Sequence, residues 1–192
     1  MFTNRYIFIY ASVMVIIVAA ILSSAASFLK PFQLQNIRTE KIMNILSSAS
    51  IPTEKANAYE NYEKFIVEEY TIDRDGKVSS VYKNGKLEQG DVRAFDINLK
   101  EEPKKNAEIK AGKSSEEPRF PLFDCEKVGK TYYVIPMLGS GLWGPVWGNI
   151  ALESDFSTIY GANFDHQGET PGLGAEISTP IFEDQFPGKT IF

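Results

Sequence analysis

The most apolar part of the chain lies at its beginning. No charged residue occurs between Arg5 and Lys30, and the 24 residues Tyr6–Leu29 are rich in Ile, Val, Ala and Met. A helix of that length spans about 36 Å, which is enough to cross the hydrocarbon core of a bilayer, about 30 Å thick, with a modest tilt. The pattern predicts a single transmembrane helix within residues 1–30 that ends at Lys30-Pro31.

A cleaved signal peptide is the alternative interpretation of this run. Ser23-Ser24-Ala25 supplies the small residues that a signal peptidase prefers. The apolar run is nevertheless longer than the usual signal core, and its basic head is a single arginine, so a retained anchor is favoured. Basic residues lie on both sides of the run, and the positive-inside rule alone therefore does not orient the helix.

After this run, shorter periodic segments predict a mixture of helices and strands. Helical spacing and an N-cap signal at Thr53 predict helices over 38–48 and 53–64. Strands are expected at 65–72, 77–82, 131–138, 146–152 and 158–164, and a short helix at 180–186. Segment 96–119 interleaves acids and bases with few large apolar residues, so we expect a polar loop or insertion there.

Charge and residue counts exclude several classes of function. The chain has 20 basic and 25 acidic residues without the clustered basic footprint of a nucleic-acid surface. Cys125 and His166 are the single cysteine and histidine, which excludes a disulfide framework and both four-cysteine and multi-histidine metal sites within this chain. We therefore expect no metal ligands and no catalytic nucleophile or base. Cys125 is interpreted as a buried small apolar residue and His166 as the end of a strand.

Two glycine-rich segments, Gly139–Pro145 and Asp165–Gly174, are the best candidates for a ligand site. Their glycines allow tight turns and a close approach of the backbone to a ligand. Trp143 offers a large flat face, and Leu173 between two glycines offers an apolar side chain beside uncovered backbone amides. This combination suits a flavin ring, which has apolar faces and hydrogen-bonding edges. The residues alone leave open a pair of hairpin turns that bind nothing.

A resemblance to a known family favours the flavin. Gly141-Leu142-Trp143-Gly144, followed by Gly168-Glu169-Thr170-Pro171-Gly172-Leu173-Gly174, resembles the FMN-binding domain of the C subunit of the sodium-translocating NADH:quinone reductase. The resemblance extends to the N-terminal anchor and to the closing Phe186-Pro187-Gly188-Lys189. The related G subunit of the Rnf electron-transport complex shares the second motif but usually lacks the Leu-Trp pair, so the C subunit is favoured.

The resemblance implies an α+β fold in which one transmembrane helix, 1–30, precedes a mixed helix and antiparallel-sheet FMN-binding domain, 31–192. It implies that FMN relays single electrons on the path from NADH to ubiquinone, within a six-subunit sodium-translocating complex of the inner membrane. The domain is expected on the periplasmic side, in contact with membrane lipid and without nucleic acid. The implied cofactor-binding residues are Gly141, Leu142, Trp143, Gly144, Glu169, Thr170, Pro171, Gly172, Leu173 and Gly174.

One departure from the family pattern concerns FMN attachment. Family members bind FMN through a threonine in a Ser-Gly-Ala-Thr motif, which is absent from these 192 residues. We therefore assign the covalent role to no threonine of this chain and expect the family's domain to extend beyond Phe192. A cofactor-free, membrane-tethered interaction module and a stand-alone flavin reductase remain the alternatives.

Overall fold

The computed structural model describes residues 3–113 and 116–192. Within these residues it contains four α-helices, seven β-strands and two short 3₁₀ helices. The α-helices are α1 (Asn4–Ser48), α2 (Ala58–Phe65), α3 (Glu102–Lys110) and α4 (Pro180–Glu183). The strands are β1 (Ile66–Ile72), β2 (Val78–Lys83), β3 (Lys86–Gln89), β4 (Phe120–Lys127), β5 (Lys130–Ser140), β6 (Pro145–Leu152) and β7 (Ile159–His166). The 3₁₀ helices are Ala94–Asp96 and Gly174–Ser178.

The chain divides into two units, Met1–Glu40 and Lys41–Phe192. Most of the first unit is helix α1, which is long and apolar enough to cross a membrane. Its 18-residue window has a mean hydropathy of 2.5, and none of that window is buried. The predicted apolar helix is therefore present, and its length and composition fit a transmembrane span.

The predicted end of this helix at Lys30-Pro31 is wrong. Helix α1 continues through Pro31 to Ser48 and includes the helix predicted at 38–48. A proline inside a helix removes one N–H donor and costs about 3 kcal/mol. Helix-forming sequence on both sides of Pro31 carries the helix across that single interruption.

The second unit is built on one seven-stranded sheet. The strand order is β3-β2-β1-β4-β5-β6-β7, and every neighbouring pair is antiparallel. The α+β fold with an antiparallel sheet is therefore confirmed. The five predicted strands correspond to β1, β2, β5, β6 and β7 within two residues at each end.

The hydrophobic core lies on one face of this sheet. Burial alternates along the strands, so that Phe123 and Cys125 of β4 and Val134 of β5 point to the same side. The last turns of α1 cover them with Ile42 and Leu46, both nearly fully buried. Cys125 is a buried core residue, as its sequence context predicted.

A missing side chain lets the end of α1 approach the sheet. A Cβ at Gly161 of β7 would lie 2.3 Å from the carbonyl oxygen of Ser48. Asn163, two residues further on, donates from its side chain to the carbonyl of Asn44 at 2.9 Å. Gly161 and Asn163 together fix the C-terminal end of α1 across the strand that leads to the second glycine-rich segment.

One buried carboxylate in the core is fully engaged. Glu69 on β1 is 2% exposed and accepts hydrogen bonds from the Arg93 guanidinium, the Tyr62 hydroxyl and the Phe95 backbone N–H, the last two at 2.9 and 3.0 Å. Burial, followed by the neighbouring Glu69 carboxylate, raises the pKa of Tyr62 well above its ordinary value, so this hydroxyl remains a donor. This network ties α2 and the 3₁₀ helix at Ala94–Asp96 to β1.

The opposite face of the sheet carries a row of polar side chains. Asp124 on β4 pairs in register with Glu68 of β1 on one side and Tyr133 of β5 on the other. Its Oδ1 atom is buried and has no hydrogen-bond partner among the residues that the structure describes. Burial, and then the Glu68 and Glu126 charges, raises the pKa of Asp124 to about 6, against a smaller opposing effect of Lys83.

Three further expectations differ from the structure. Helix α2 begins at Ala58 rather than Thr53, because residues 54–57 form a turn in which Asn57 Oδ1 accepts from the Glu54 N–H. Segment 96–119, expected to be a polar loop or insertion, contains α3, in which Glu102 is buried and the other described side chains are exposed or half-buried. Strands β3 and β4 were not predicted, since the four residues of β3 are all exposed and the alternation in β4 is interrupted by Pro121 and charges.

Candidate functional site

The two glycine-rich segments lie at the same end of the sheet. Gly141–Gly144 connects β5 to β6, and the second segment follows the end of β7. Val146 of β6 pairs with Gly139 of β5 on one side and with His166 of β7 on the other. The register of these three strands therefore brings the two segments together, and His166 is the strand-end residue that was predicted.

The first segment is a tight turn with two apolar side chains at its tip. The Gly141 N–H donates to the Gly144 carbonyl at 2.8 Å, which closes the β5–β6 hairpin. Leu142 is 82% exposed and Trp143 is 69% exposed. Exposure of two large apolar side chains at one turn is unfavourable in water and typical of a surface that binds something.

The second segment folds back on itself around Thr170. The Thr170 carbonyl accepts the backbone N–H groups of both Leu173 and Ala175 at 3.1 Å. Gly172 has φ of +74°, a conformation that side-chain-bearing residues rarely adopt, and its N–H donates to the Glu176 carboxylate at 3.0 Å. The turn presents Leu173 to solvent, 74% exposed.

Glu169 joins the two segments. The residue is 9% exposed, and its Oε1 atom accepts the backbone N–H of Trp143 at 3.0 Å. Its own backbone N–H donates to Nδ1 of His166 at 3.1 Å, so this ring nitrogen serves as the acceptor. The carboxylate thus lies between the hairpin tip and the turn that follows β7.

Two glycines leave room for this carboxylate. A Cβ at Gly141 would lie 2.2 Å from Glu169 Oε1 and 2.9 Å from Val146 Cγ1. A Cβ at Gly174 would lie 2.7 Å from Glu169 Oε2. All three distances are below 3.0 Å, so a Cβ at either glycine would require the Glu169 carboxylate to move, and the two glycines and the buried glutamate form one packed unit.

The chain beyond the site is fixed to the sheet by aromatic side chains. Phe182 and Phe186, from α4 and just after it, contact Phe164 of β7 with ring centroids 5.7 and 5.0 Å apart. The Phe164 backbone N–H donates to Glu183 Oε1 at 2.7 Å, and burial raises the pKa of this carboxyl. The second glycine-rich segment is therefore anchored at both ends, by β7 before it and by α4 after it.

The structure places the ten predicted site residues in two adjacent turns. Leu142, Trp143 and Leu173 are the exposed apolar members, whereas Glu169 is turned inward to the Trp143 backbone. Sequence reasoning missed the contact of the His166 side chain with this turn. The three-residue spacing between His166 and Glu169 at the end of a strand is the signal that points to it.

The arrangement fits a flat, partly apolar ligand. Three exposed apolar side chains stand on two backbone segments that the Glu169 carboxylate joins through a hydrogen bond. An isoalloxazine ring requires such a combination of apolar contact and hydrogen-bonding edge. These residues therefore fit FMN.

Known proteins support the same conclusion. The sequence profile of the FMN-binding domain matches residues 141–191, which include both glycine-rich segments. A relative from Haemophilus ducreyi, the C subunit of the Na(+)-translocating NADH-quinone reductase, is 32% identical over 185 residues, which cover 92% of this chain and 68% of that protein. The chain belongs to this C-subunit family. The resemblance inferred from the two motifs is therefore confirmed.

Solved structures of the family share the fold. The C subunit of the reductase from Parabacteroides distasonis superposes with a TM-score of 0.65 at 38% identity, over 85% of this chain and 71% of that one. NqrC from Shewanella oneidensis gives a TM-score of 0.60 at 25% identity, over 81% of this chain and 71% of that one. Membership of the C-subunit family favours this assignment over the Rnf G subunit and over a cofactor-free module.

Proposed function

We propose that this chain binds FMN between its two glycine-rich turns and relays electrons as a subunit of the Na(+)-translocating NADH-quinone reductase. The observation that supports the proposal is the Glu169 bridge, which joins the Trp143 backbone to the segment that carries Leu173. The family profile for FMN binding covers the same residues. The reductase is an oxidoreductase complex, to which this chain contributes a cofactor site rather than a nucleophile or base.

The chain's own residues have distinct tasks at the site. Trp143, Leu142 and Leu173 provide apolar contact to the ring and displace water from it. Gly172, with its positive φ, and the hydrogen bonds to the Thr170 carbonyl fix the turn that presents Leu173 to the ring. FMN, when bound, supplies reversible electron transfer, and the protein sets its position and surroundings.

Removal of the Trp143 ring tests the site directly. We expect Trp143→Ala to weaken FMN binding by about tenfold or more, because a large apolar contact with the ring is lost. Titration of the purified protein with FMN, followed by flavin fluorescence, measures this. Ile181→Ala on α4 is the matched control, since Ile181 is 82% exposed but outside both turns. Equal affinities of the two variants would contradict the site.

We also propose that the membrane anchor lies within residues 1–30 and the FMN-binding domain within 31–192. The apolar helix α1 supports membrane attachment, and lipid then surrounds its exposed apolar side chains. The domain is proposed to face the periplasm, as the family resemblance implies. Protease added to intact spheroplasts is expected to cleave the domain; cleavage only after lysis would place it in the cytoplasm.

The partners are proposed to be the other subunits of a six-subunit reductase. Purification in mild detergent through a tag on this chain is expected to recover five further subunits. Recovery of this chain alone with bound flavin would instead support a stand-alone reductase.

No residue of this chain is proposed to hold FMN covalently, because the Ser-Gly-Ala-Thr sequence is absent from it. After denaturation, a gel viewed under ultraviolet light is expected to show no flavin fluorescence on the 192-residue chain. A fluorescent band at its mass would contradict this.

A further inference from the structure

A buried glutamate between two turns requires an explanation. Glu169 is 9% exposed, although burial of a carboxylate is unfavourable unless donors compensate for the lost water. The Trp143 backbone N–H donates to its Oε1 atom at 3.0 Å, a contact to an ionised acceptor that is stronger than a neutral hydrogen bond. The side chain therefore contacts the backbone of the hairpin tip, and not only the segment from which it comes.

The surrounding glycines make this position of the carboxylate specific. Gly141 faces Oε1 and Gly174 faces Oε2, each at a distance at which an added Cβ would displace the carboxylate. Gly139, two residues before Gly141, differs, since a Cβ there would contact Val146 Cγ2 at an ordinary 3.4 Å. The carboxylate thus acts as a spacer whose two oxygens lie against two different backbone segments.

We infer that Glu169 is a positioning residue, whose buried carboxylate holds the Trp143 turn at a fixed separation from the Thr170–Ala175 turn. It thereby sets how far apart the exposed side chains of the two turns are presented to a planar ligand. This inference rests on the proposed function for the identity of the ligand, but its geometric part concerns the chain alone. The His166 side chain supports the same unit, because its Nδ1 atom accepts the Glu169 backbone N–H.

Amide hydrogen exchange of Trp143, measured by NMR on the whole protein, tests the geometric part. We expect Glu169→Ala to accelerate exchange at this amide by about tenfold or more, because its charged acceptor is lost. Glu169→Gln keeps an oxygen acceptor of the same length and is expected to restore slow exchange to within about threefold of wild type. Glu153→Ala, an exposed glutamate at the far end of β6, is the control.

Gly141→Ala gives the same test without changing Glu169. The added methyl displaces the carboxylate from the Trp143 N–H, so exchange is expected to accelerate as in Glu169→Ala, whereas Gly139→Ala leaves it unchanged. In the double variant the two effects are not additive, because both remove the same contact. Circular dichroism identifies a variant that fails to fold, and Gly141→Ala then carries the test in place of Glu169→Ala.

The outcomes separate this inference from the proposed function. Unchanged Trp143 exchange in folded Glu169→Ala or Gly141→Ala would overturn the positioning role. Titration of the same variants with FMN is expected to show weaker binding for Glu169→Ala and Gly141→Ala, with recovery in Glu169→Gln. If wild type fails to bind FMN while the exchange pattern holds, the proposed function fails and the geometric role of Glu169 stands. If Trp143 exchange changes but all variants bind FMN with equal affinity, Glu169 holds the turns together without affecting the ligand.

Discussion

Two buried glutamates stabilise different parts of the molecule, Glu69 in the core and Glu169 at the candidate site. Glu69 accepts from a guanidinium, a hydroxyl and a backbone N–H, and it joins α2 and the 3₁₀ helix Ala94–Asp96 to β1. Glu169 accepts from one backbone N–H at the tip of a hairpin and fills the space left by two glycines. The first arrangement supports the whole fold, whereas the second fixes only the local geometry of two turns.

The largest effect is expected in the core. Glu69→Ala leaves the half-buried Arg93 guanidinium and the buried Tyr62 hydroxyl without their acceptor. Loss of one partner from a fully buried ion pair costs about 3–5 kcal/mol, and the partial exposure of Arg93 places the expected loss at the lower end of this range. Urea denaturation should show this loss in the free energy of unfolding. A loss below about 1 kcal/mol would mean that water replaces the carboxylate, and that the core is less closed than the structure indicates.

The next largest effect is expected for Asp124→Asn, which should raise the free energy of unfolding in a pH-dependent way. The folded pKa of Asp124, about 6, lies above its unfolded value of about 3.9. The folded state therefore binds more protons between these values, and this group lowers stability as pH rises from about 4 to 6. Asp124→Asn should remove that loss and stabilise the protein above pH 6 by about 1–2 kcal/mol, after allowance for partial exposure.

Asp155 is the control for this pH dependence. Hydrogen bonds from the Thr158 side chain and backbone lower the pKa of this exposed carboxyl, so its contribution is present at neutral pH and is lost as pH falls. Asp155→Asn should therefore destabilise slightly at neutral pH. Thermal unfolding of both variants between pH 4 and pH 7 measures how each substitution changes the pH dependence of stability. If both substitutions changed it in the same direction, the opposite pKa shifts of Asp124 and Asp155 would be refuted.

Glu169→Ala should have a smaller effect on global stability than either change. The variant loses one hydrogen bond to a charged acceptor and part of a packed turn, which costs about 1–2 kcal/mol. Urea denaturation beside Glu69→Ala gives the direct comparison. If the two variants lost equal stability, Glu169 would belong to the fold and not only to the site.

The smallest stability effect is expected for Trp143→Ala. Its side chain is 69% exposed, and truncation of an exposed side chain changes stability by about 0.5 kcal/mol or less. Unchanged denaturation curves together with weakened FMN binding would show that Trp143 serves the ligand. A clear loss of stability would show instead that the ring packs on its own domain.

Most of the sheet could be predicted from the sequence, because β1, β5, β6 and β7 combine strand-forming residues with turn signals. Strand β3 could not, since its residues are polar and its position depends on pairing with β2. Helix α1 continues through Pro31 because helix-forming residues follow it. The local stop signal at Lys30-Pro31 therefore predicted the wrong end of the helix. At the site, the two motifs were recognisable, but the inward direction of Glu169 depends on strand register and on space beside Gly141 and Gly174.

The most direct test of the central claim is equilibrium binding of FMN to the purified protein, followed by flavin fluorescence and by the visible absorption spectrum. We expect saturable binding of one FMN per chain, with flavin absorption bands on the protein. Binding should weaken in Trp143→Ala and persist in Ile181→Ala. A protein that remains colourless and leaves the fluorescence of added FMN unchanged would contradict it.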